Sequence, residues 1–357
     1  MRIGILTLHS NYNFGAALQS YALHSFLSSL GHDVEILNYR PKYLATPYPR
    51  LMLNVRHPLA SINYNLFRYS HNVRKYKKFA QFESCIKLTK IAETSDELNS
   101  VARDFDLIVF GSDQIWCNLF NQKESLWYGA LGGSNTIKLS YAASAGDANF
   151  SKEELGKIVP LLNTFRAISV REKKLFDLLR PLIDSNIPMT CTIDPSLMVN
   201  PEMWEKWYKP IRKDKYLIVR MARDYPGIYK IAEGIASQLK CKIVNVDLRE
   251  SSFNSGYETK VYSPDEFVSL IKNAECVVTN SFHGTSFAII TGTPFYTIKM
   301  GDHQDERSKN LLNALELSDR LIEKDVVPKF EGIDFSVAHK KLDVLRKESQ
   351  AFLINNL

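Results

Sequence analysis

The sequence predicts an α/β protein of two parallel-sheet domains facing a central cleft, and three observations carry that prediction. Short apolar runs rich in β-branched residues alternate with longer stretches of helical period. The alternation restarts after Pro201 as a second unit of the same kind. Strand-like runs repeatedly break into polar and glycine residues, as they do where parallel sheets bind ligands at their carboxyl edges. With 357 residues the chain has room for two domains, since single cores stop growing at roughly 250–300 residues.

Ile3 to Leu8 reads as a strand, Asn11 to Gly15 as a turn-rich loop, and Ala16 to Leu30 as an amphipathic helix ended by Gly31. Val34 to Leu37 is the next strand, and this β-loop-α-β order demands parallel pairing. Ser95 to Ala102 is expected as a short helix capped by Ser95. Leu107 to Phe110 is a buried strand leading into Gly111, Ser112 and Asp113, and Lys138 to Ala142 repeats the pattern. A helix from Lys152 to Leu162 precedes the strand Ala167 to Val170, which delivers Arg171 and Glu172 to its tip.

After a boundary near Thr192 to Pro195, strands are expected at Tyr216–Val219, Lys242–Asp247, Cys276–Thr279 and Phe295–Ile298. The helices between them are Ile228–Leu239, Ser263–Lys272 and Gly284–Thr291. Ser263, Pro264 and Glu266 form an N-terminal capping signature for the second of these. The expected domains are 1–197 and 198–335, with an amphipathic helix in 336–357 packing across their junction.

Composition excludes several classes. Hydrophobic content of 45% and charge of 24% are globular averages. No apolar run approaches the about 18 residues of a spanning helix, and the N-terminus lacks an apolar region of signal-peptide length. The five cysteines are odd in number, scattered and without CxxC spacing, which fits a reducing cytoplasm. Neither a P-loop nor G-x-G-x-x-G is present, which argues against nucleotide binding through those loops. From Pro41 to Lys90, ten Lys or Arg stand against the single acid Glu83, interleaved with aromatics. A solvated helix, an anionic membrane surface and a nucleic-acid face all fit that pattern, and no nucleic-acid motif supports the last.

The sharpest local signal is Thr279-Asn280-Ser281-Phe282-His283-Gly284-Thr285-Ser286, where an apolar strand breaks into polar residues that open a helix. A helix start suits an anion, and His283 at that junction can carry a proton near neutral pH. Asp302 to Glu306 gathers metal-ligand residue types, but neighbours on one loop rarely converge on an ion, so no metal is expected. Trp116, Trp127, Trp204 and Trp207 read as core residues or as sugar-stacking platforms.

NYNFGAALQSYAL from Asn11, GSDQIW from Gly111, SYAAS from Ser140, SVRE from Ser169, DPSL from Asp194 and NSFHGTSFAI from Asn280 occur in this order. The ordered set resembles the polysaccharide pyruvyl transferase family. The resemblance implies two Rossmann-like domains in a GT-B-like pair, phosphoenolpyruvate as donor and no cofactor. The acceptor it implies is a sugar diol of a cell-surface polysaccharide or its lipid-linked precursor.

The resemblance makes His283 the catalytic histidine and places Arg171 and Asp113 at the cleft, with Asp113 or Glu172 orienting the acceptor or acting as partner base. Asp113 could equally cap a helix. Phosphoenolpyruvate carries a carboxylate and a phosphate, so several cationic donors are expected around it. Arg171, Arg220, Arg223, Lys299 and Arg307 are the candidates, with Ser281, Gly284 and Thr285 at the helix start. Asn13, Gly15, Ser112 and Gln114 are expected on the acceptor side. A nucleotide-sugar glycosyltransferase on the same scaffold is the alternative, because fold alone does not fix the donor. If the acceptor is lipid-linked, the basic 41–90 stretch would meet the inner face of the cytoplasmic membrane.

Overall fold

The computed structural model describes the chain except residues 11, 45–48, 50, 52–61, 63–64, 66–67, 118–123, 147–148, 247–255 and 303. Asn11, Asp247, His303 and much of the basic stretch between 41 and 68 thus lie outside the described residues.

The first sheet contains β1 (Arg2–Leu6), β2 (Asp33–Ile36), β3 (Leu107–Phe110), β4 (Ile137–Ala143), β5 (Ala167–Val170) and β6 (Met189–Cys191). Its order is β2-β1-β3-β4-β5-β6, every pair parallel. The helices of this half are α1 (Phe14–Ser29), α2 (Tyr69–Glu83), α3 (Ser95–Ala102), α4 (Lys152–Leu162) and α5 (Lys173–Leu179). Short helices α6 (Pro195–Met198) and α7 (Glu202–Glu205) lead across to the second half.

The second sheet contains β7 (Tyr216–Arg220), β8 (Lys242–Asn245), β9 (Glu258–Thr259), β10 (Cys276–Thr279), β11 (Phe295–Ile298) and β12 (Leu321–Ile322). Its order, β12-β11-β10-β7-β8-β9, is again all parallel. Helices α8 (Ile228–Leu239), α9 (Pro264–Lys272), α10 (Phe282–Thr291), α11 (Asp305–Ala314) and α12 (Ser336–Asn356) complete it. Among the described residues no helix is long and apolar enough to cross a membrane.

Both sheets reverse direction of growth at one point, between β1 and β3 in the first and between β7 and β10 in the second. Loops diverging from such a switch point leave a crevice, and ligands of open parallel sheets bind there. The two crevices open on one cavity.

Apolar packing joins the halves. Phe14 at the start of α1 stacks on Phe267 of α9, with centroids 4.4 Å apart and planes at 2°. Tyr21 meets Trp204 and Trp207, and Phe79 of α2 lies 5.6 Å from Phe14. One buried cluster therefore runs through both domains. Helix α12 lies along the junction: Arg346 Nε donates to Leu197 O and Val199 O, while His339 Nε2 donates to Ile289 O of α10.

Helix starts and caps differ from expectation at three places, one of them the helix expected from Gly284, which begins at Phe282. Helix α1 begins at Phe14 because Asn13 accepts from Gly15 N at 2.9 Å and caps it. The cap of α3 is Thr94, not Ser95, since Glu97 reaches back to Thr94 N at 3.2 Å and completes a capping box one residue earlier. Helix α9 follows its sequence signature: Glu266 accepts from Ser263 N at 2.8 Å.

Candidate active site

The cavity between the domains has a volume of about 500 Å³, within the usual range for small-molecule sites. From the first domain it is lined by Asn13, Asp113, Gln114, Trp116 and Gly146. From the second come Arg220, Arg223, Ser281, His283 and Arg307. Every one of these except Gly146 and Arg307 belongs to a strand end, loop or helix start at a switch point.

His283 occupies the first turn of α10, behind Ser281, whose hydroxyl accepts from Gly284 N at 3.3 Å. Its Nε2 faces Asp194 Oδ2 at 3.5 Å across the domain junction. Asp194 is fully buried; its Oδ1 accepts from Ser196 N (2.9 Å) and Ser196 Oγ (2.6 Å), and its Oδ2 pairs with Arg171 at 2.9 Å. Burial alone would raise this carboxyl's pKa, but Arg171 and His283 outweigh it and hold the group below the usual carboxylate range.

The other side of His283 is covered by Gly15. A Cβ at Gly15 would stand 2.0 Å from Nδ1, 2.4 Å from Cγ and 2.5 Å from Cε1. Such near-equal short distances to both flanking carbons put that point over the ring face. The loop from the first domain thus clamps an imidazole from the second.

Cationic groups surround the histidine. The guanidinium carbons of Arg171 and Arg307 lie 5.5 and 5.7 Å from the ring centre of Phe282. Burial and then Arg171 lower the pKa of Arg307. Arg171 Nε and Nη1 and Arg307 Nε are buried without a hydrogen-bond partner, a state native proteins rarely leave unexplained. Arg220 donates to Met221 O at 2.8 Å and lies 5.4 Å from the Phe14 ring centre. Arg223 is held by Asp302 (2.5 Å) and Asp305 (2.7 Å), and it donates to Asn280 O. Asp302 and Asp305 thus converge on a guanidinium, and Asp305 also accepts from Met300 N and Gly301 N.

Several expected site residues lie elsewhere. Lys299 sits at the tip of β11, one strand beyond the switch point; its ammonium is half-exposed and pairs with Glu323 at 2.7 Å, outside the cavity lining. Thr285 is buried inside α10, bonded to Ser281 O and Thr297, and Gly284 packs against Thr279, so both shape the helix start without lining the cavity. Ser112 is fully buried and accepts from Arg171 and from Asp113 N.

Glu172 is buried behind Ser144, whose hydroxyl donates to it at 2.5 Å, and burial raises its pKa against the pull of Arg171. Asp113 lines the cavity with a backbone φ of 70°, in the left-handed region and outside the extended conformation of an N-cap. Trp116 touches the cavity, whereas Trp127 and Trp204 are core residues.

A family model for polysaccharide pyruvyl transferase matches residues 13–302. The chain belongs to that family. Its match takes in every lining residue of the cavity except Leu8, Gln304 and Arg307. No curated protein matches the chain significantly. Among solved structures this family member is similar to UDP-GlcNAc 2-epimerase from Methanocaldococcus jannaschii, at 13% identity and a TM-score of 0.50 over 99% of each chain. A putative UDP-N-acetylglucosamine 2-epimerase from Listeria monocytogenes gives 12% identity and a TM-score of 0.50 over 98% of this chain and 89% of that one. At such identities the likeness concerns the fold alone, which is two Rossmann-like domains in the GT-B arrangement.

Asp194 and Asn280 stand out in the structure without having been assigned roles from sequence. Asn280 Oδ1 accepts from Ala222 N and Arg223 N, and its Nδ2 donates to Arg223 O, tying the two switch-point loops together. The DPSL motif flagged the neighbourhood of Asp194, but only as part of the family resemblance and as a domain boundary, with no role for the aspartate. Only folding brings it to a histidine far along the chain.

Proposed function

We propose that the protein transfers pyruvate from phosphoenolpyruvate onto a sugar diol of a cell-surface polysaccharide or its lipid-linked precursor, forming a pyruvyl ketal. The observation that carries this reading is the unpartnered guanidinium nitrogens beside His283, that of Arg307 on the cavity wall and those of Arg171 buried next to it, outside the lining. A small donor with two anionic groups would supply what these nitrogens lack, and guanidinium forks suit both a carboxylate and a phosphate.

The enol carbon takes a proton, leaving an oxocarbenium-like centre at the carbon bearing phosphate. One sugar hydroxyl attacks that centre, and the C–O bond to phosphate breaks. The neighbouring hydroxyl then closes the ketal. Of the two hydroxyl protons, one balances the methyl group formed and the other leaves with phosphate. His283 handles one of these transfers as general acid or base, a role typically contributing about 10²–10⁴-fold. Asp113, on the first-domain wall of the cavity, would orient the acceptor.

Incubation with phosphoenolpyruvate and galactosides, mannosides or glucosides tests the proposal, with phosphate release and a one-pyruvyl-ketal mass gain followed together. His283→Ala is expected to lose most turnover while keeping its melting profile; a purified variant of near-normal activity would remove His283 from the mechanism. The same scaffold serves nucleotide-sugar enzymes, so a thermal shift by UDP and none by phosphoenolpyruvate would favour a glycosyltransferase.

Residues 41–90 are proposed to make peripheral contact with an anionic membrane when the acceptor is lipid-linked. Charge reversal at Arg74, Lys75 and Lys77 in a liposome assay tests that contact, with Lys78 kept because it pairs with Glu266 of the second domain. Unchanged binding would count against that contact.

A further inference from the structure

His283 comes from the second domain, yet two residues of the preceding half fix its ring. Asp194 faces Nε2 at 3.5 Å, and Gly15 lies against the ring face. Asp194 is itself immobilised, with Oδ1 held by the Ser196 amide and hydroxyl and its segment anchored by Ile193 N donating to Ser349 Oγ of α12 at 3.2 Å. A carboxylate with no exposure, held on one oxygen and turned by the other toward a histidine, has a restricted set of functions.

We propose that Asp194 is a positioning residue for His283, accepting a hydrogen bond from Nε2–H so that Nδ1 is the nitrogen exchanging protons in the cavity. This rests on the reading of His283 as the proton-handling group. The present separation lies within ion-pair range and beyond a good hydrogen bond; contacts of this kind shorten when substrate is bound. Nε2 keeps its proton throughout. Nδ1 gives a proton to the enol carbon or takes one from a sugar hydroxyl, and the buried carboxylate stabilises the imidazolium without becoming protonated. Arg171 competes for the same Oδ2, so the pair is balanced between a guanidinium and an imidazole. The other charged groups around the ring are Asp113, Arg220, Arg223 and Arg307 on the cavity wall.

The test is nitrogen NMR of the full-length protein labelled in its histidines, with His283→Gln as the assignment control. The native protein is expected to show the Nε2–H tautomer of neutral His283. Asp194→Asn keeps the shape and removes the charge, and should lower the pH of half-protonation of His283 by about one unit or more. The one limb of the kcat profile that His283 governs should move with that titration and the other stay, which a merely structural change would not produce. A native Nδ1–H tautomer, or superimposable titrations in the two proteins, would overturn the proposal. If Asp194→Asn does not fold, the native tautomer alone decides. The spectra need no donor, so failure of the phosphoenolpyruvate assignment leaves this test standing.

Discussion

A methyl group on Gly15 would sit 2.0 Å from His283 Nδ1, nearer than real side-chain carbons approach any atom. Gly15→Ala must therefore displace either the imidazole or the start of α1, and Phe14 beside it is pinned on Phe267. The imidazole is the softer of the two. Overpacking of this kind costs about 1–3 kcal/mol, and a catalytic group shifted by about 1 Å can lose about 10²-fold in rate. The variant is expected to melt a few degrees lower and to lose about a hundredfold in kcat, measured by phosphate release; unchanged kcat would show that the ring tolerates the methyl. Sequence alone identified His283 and the Gly15 loop separately, but nothing in either motif reveals that one covers the other. Asp194 is the plainer case: an aspartate ahead of a proline has a complete local explanation as a cap, and its Oδ1 does cap Ser196. Its second oxygen, turned toward His283, has no local signature at all.

At the scale of elements, four interior strands were legible with their bounds, while β1, β4, β7 and β8 differ from expectation by one or two residues at an end. Leu107–Phe110, Ala167–Val170, Cys276–Thr279 and Phe295–Ile298 are fully buried, predominantly apolar runs because parallel strands are covered on both faces. The edge strands β9 and β12 span two residues each and carry no pattern long enough to read. Lys299 shows the limit of strand-tip reasoning: its position on a strand was right, but which strand borders the switch point depends on sheet order, and β11 is one place removed. Helix α12 is an element whose amphipathic period is visible and whose target is not. Its Arg346, nearly fully buried, serves the carbonyls of Leu197 and Val199 while Gln350 serves Met198 O at 2.9 Å. Arg346→Ala would leave two buried acceptors without a donor, and charged hydrogen bonds of this sort are worth about 1.5–3 kcal/mol each. A loss of about 2–4 kcal/mol in urea unfolding is expected, with reduced turnover because the strap over the Asp194 segment is loosened. A loss below half a kilocalorie would mean the segment holds its shape without the helix.

For the molecule as a whole, the apolar junction and the two facing crevices make the site a property of both domains at once. Chain order predicted two sheets and a cleft; the pairing of loops across it arises from contacts such as Phe14 on Phe267 and Lys78 with Glu266, which no local pattern encodes. The acid response of the fold follows from groups in its first half. His71 of α2 is buried, and burial, then Lys75 and Arg74, push its pKa down to about 4 from an ordinary 6.5. His9, buried just beyond β1, is pulled the same way by burial. A histidine with a lowered folded pKa takes up a proton more readily when unfolded, so its contribution is complete above about pH 6.5 and shrinks as pH falls toward the folded value. Asp194 adds a second step with the usual carboxylate sign: its stabilisation is present above about pH 4 and fades below it. Melting temperature should accordingly be highest from neutral pH upward, fall between pH 6.5 and 4, and fall further in stronger acid. His71→Leu, which cannot take up the proton in either state, is expected to make the first of those declines shallower, leaving the share of His9, and to leave the second intact. Parallel melting curves for the two proteins from pH 7 to pH 4.5 would remove His71 as the source, and with it the claim that α2 is held down by a neutral imidazole.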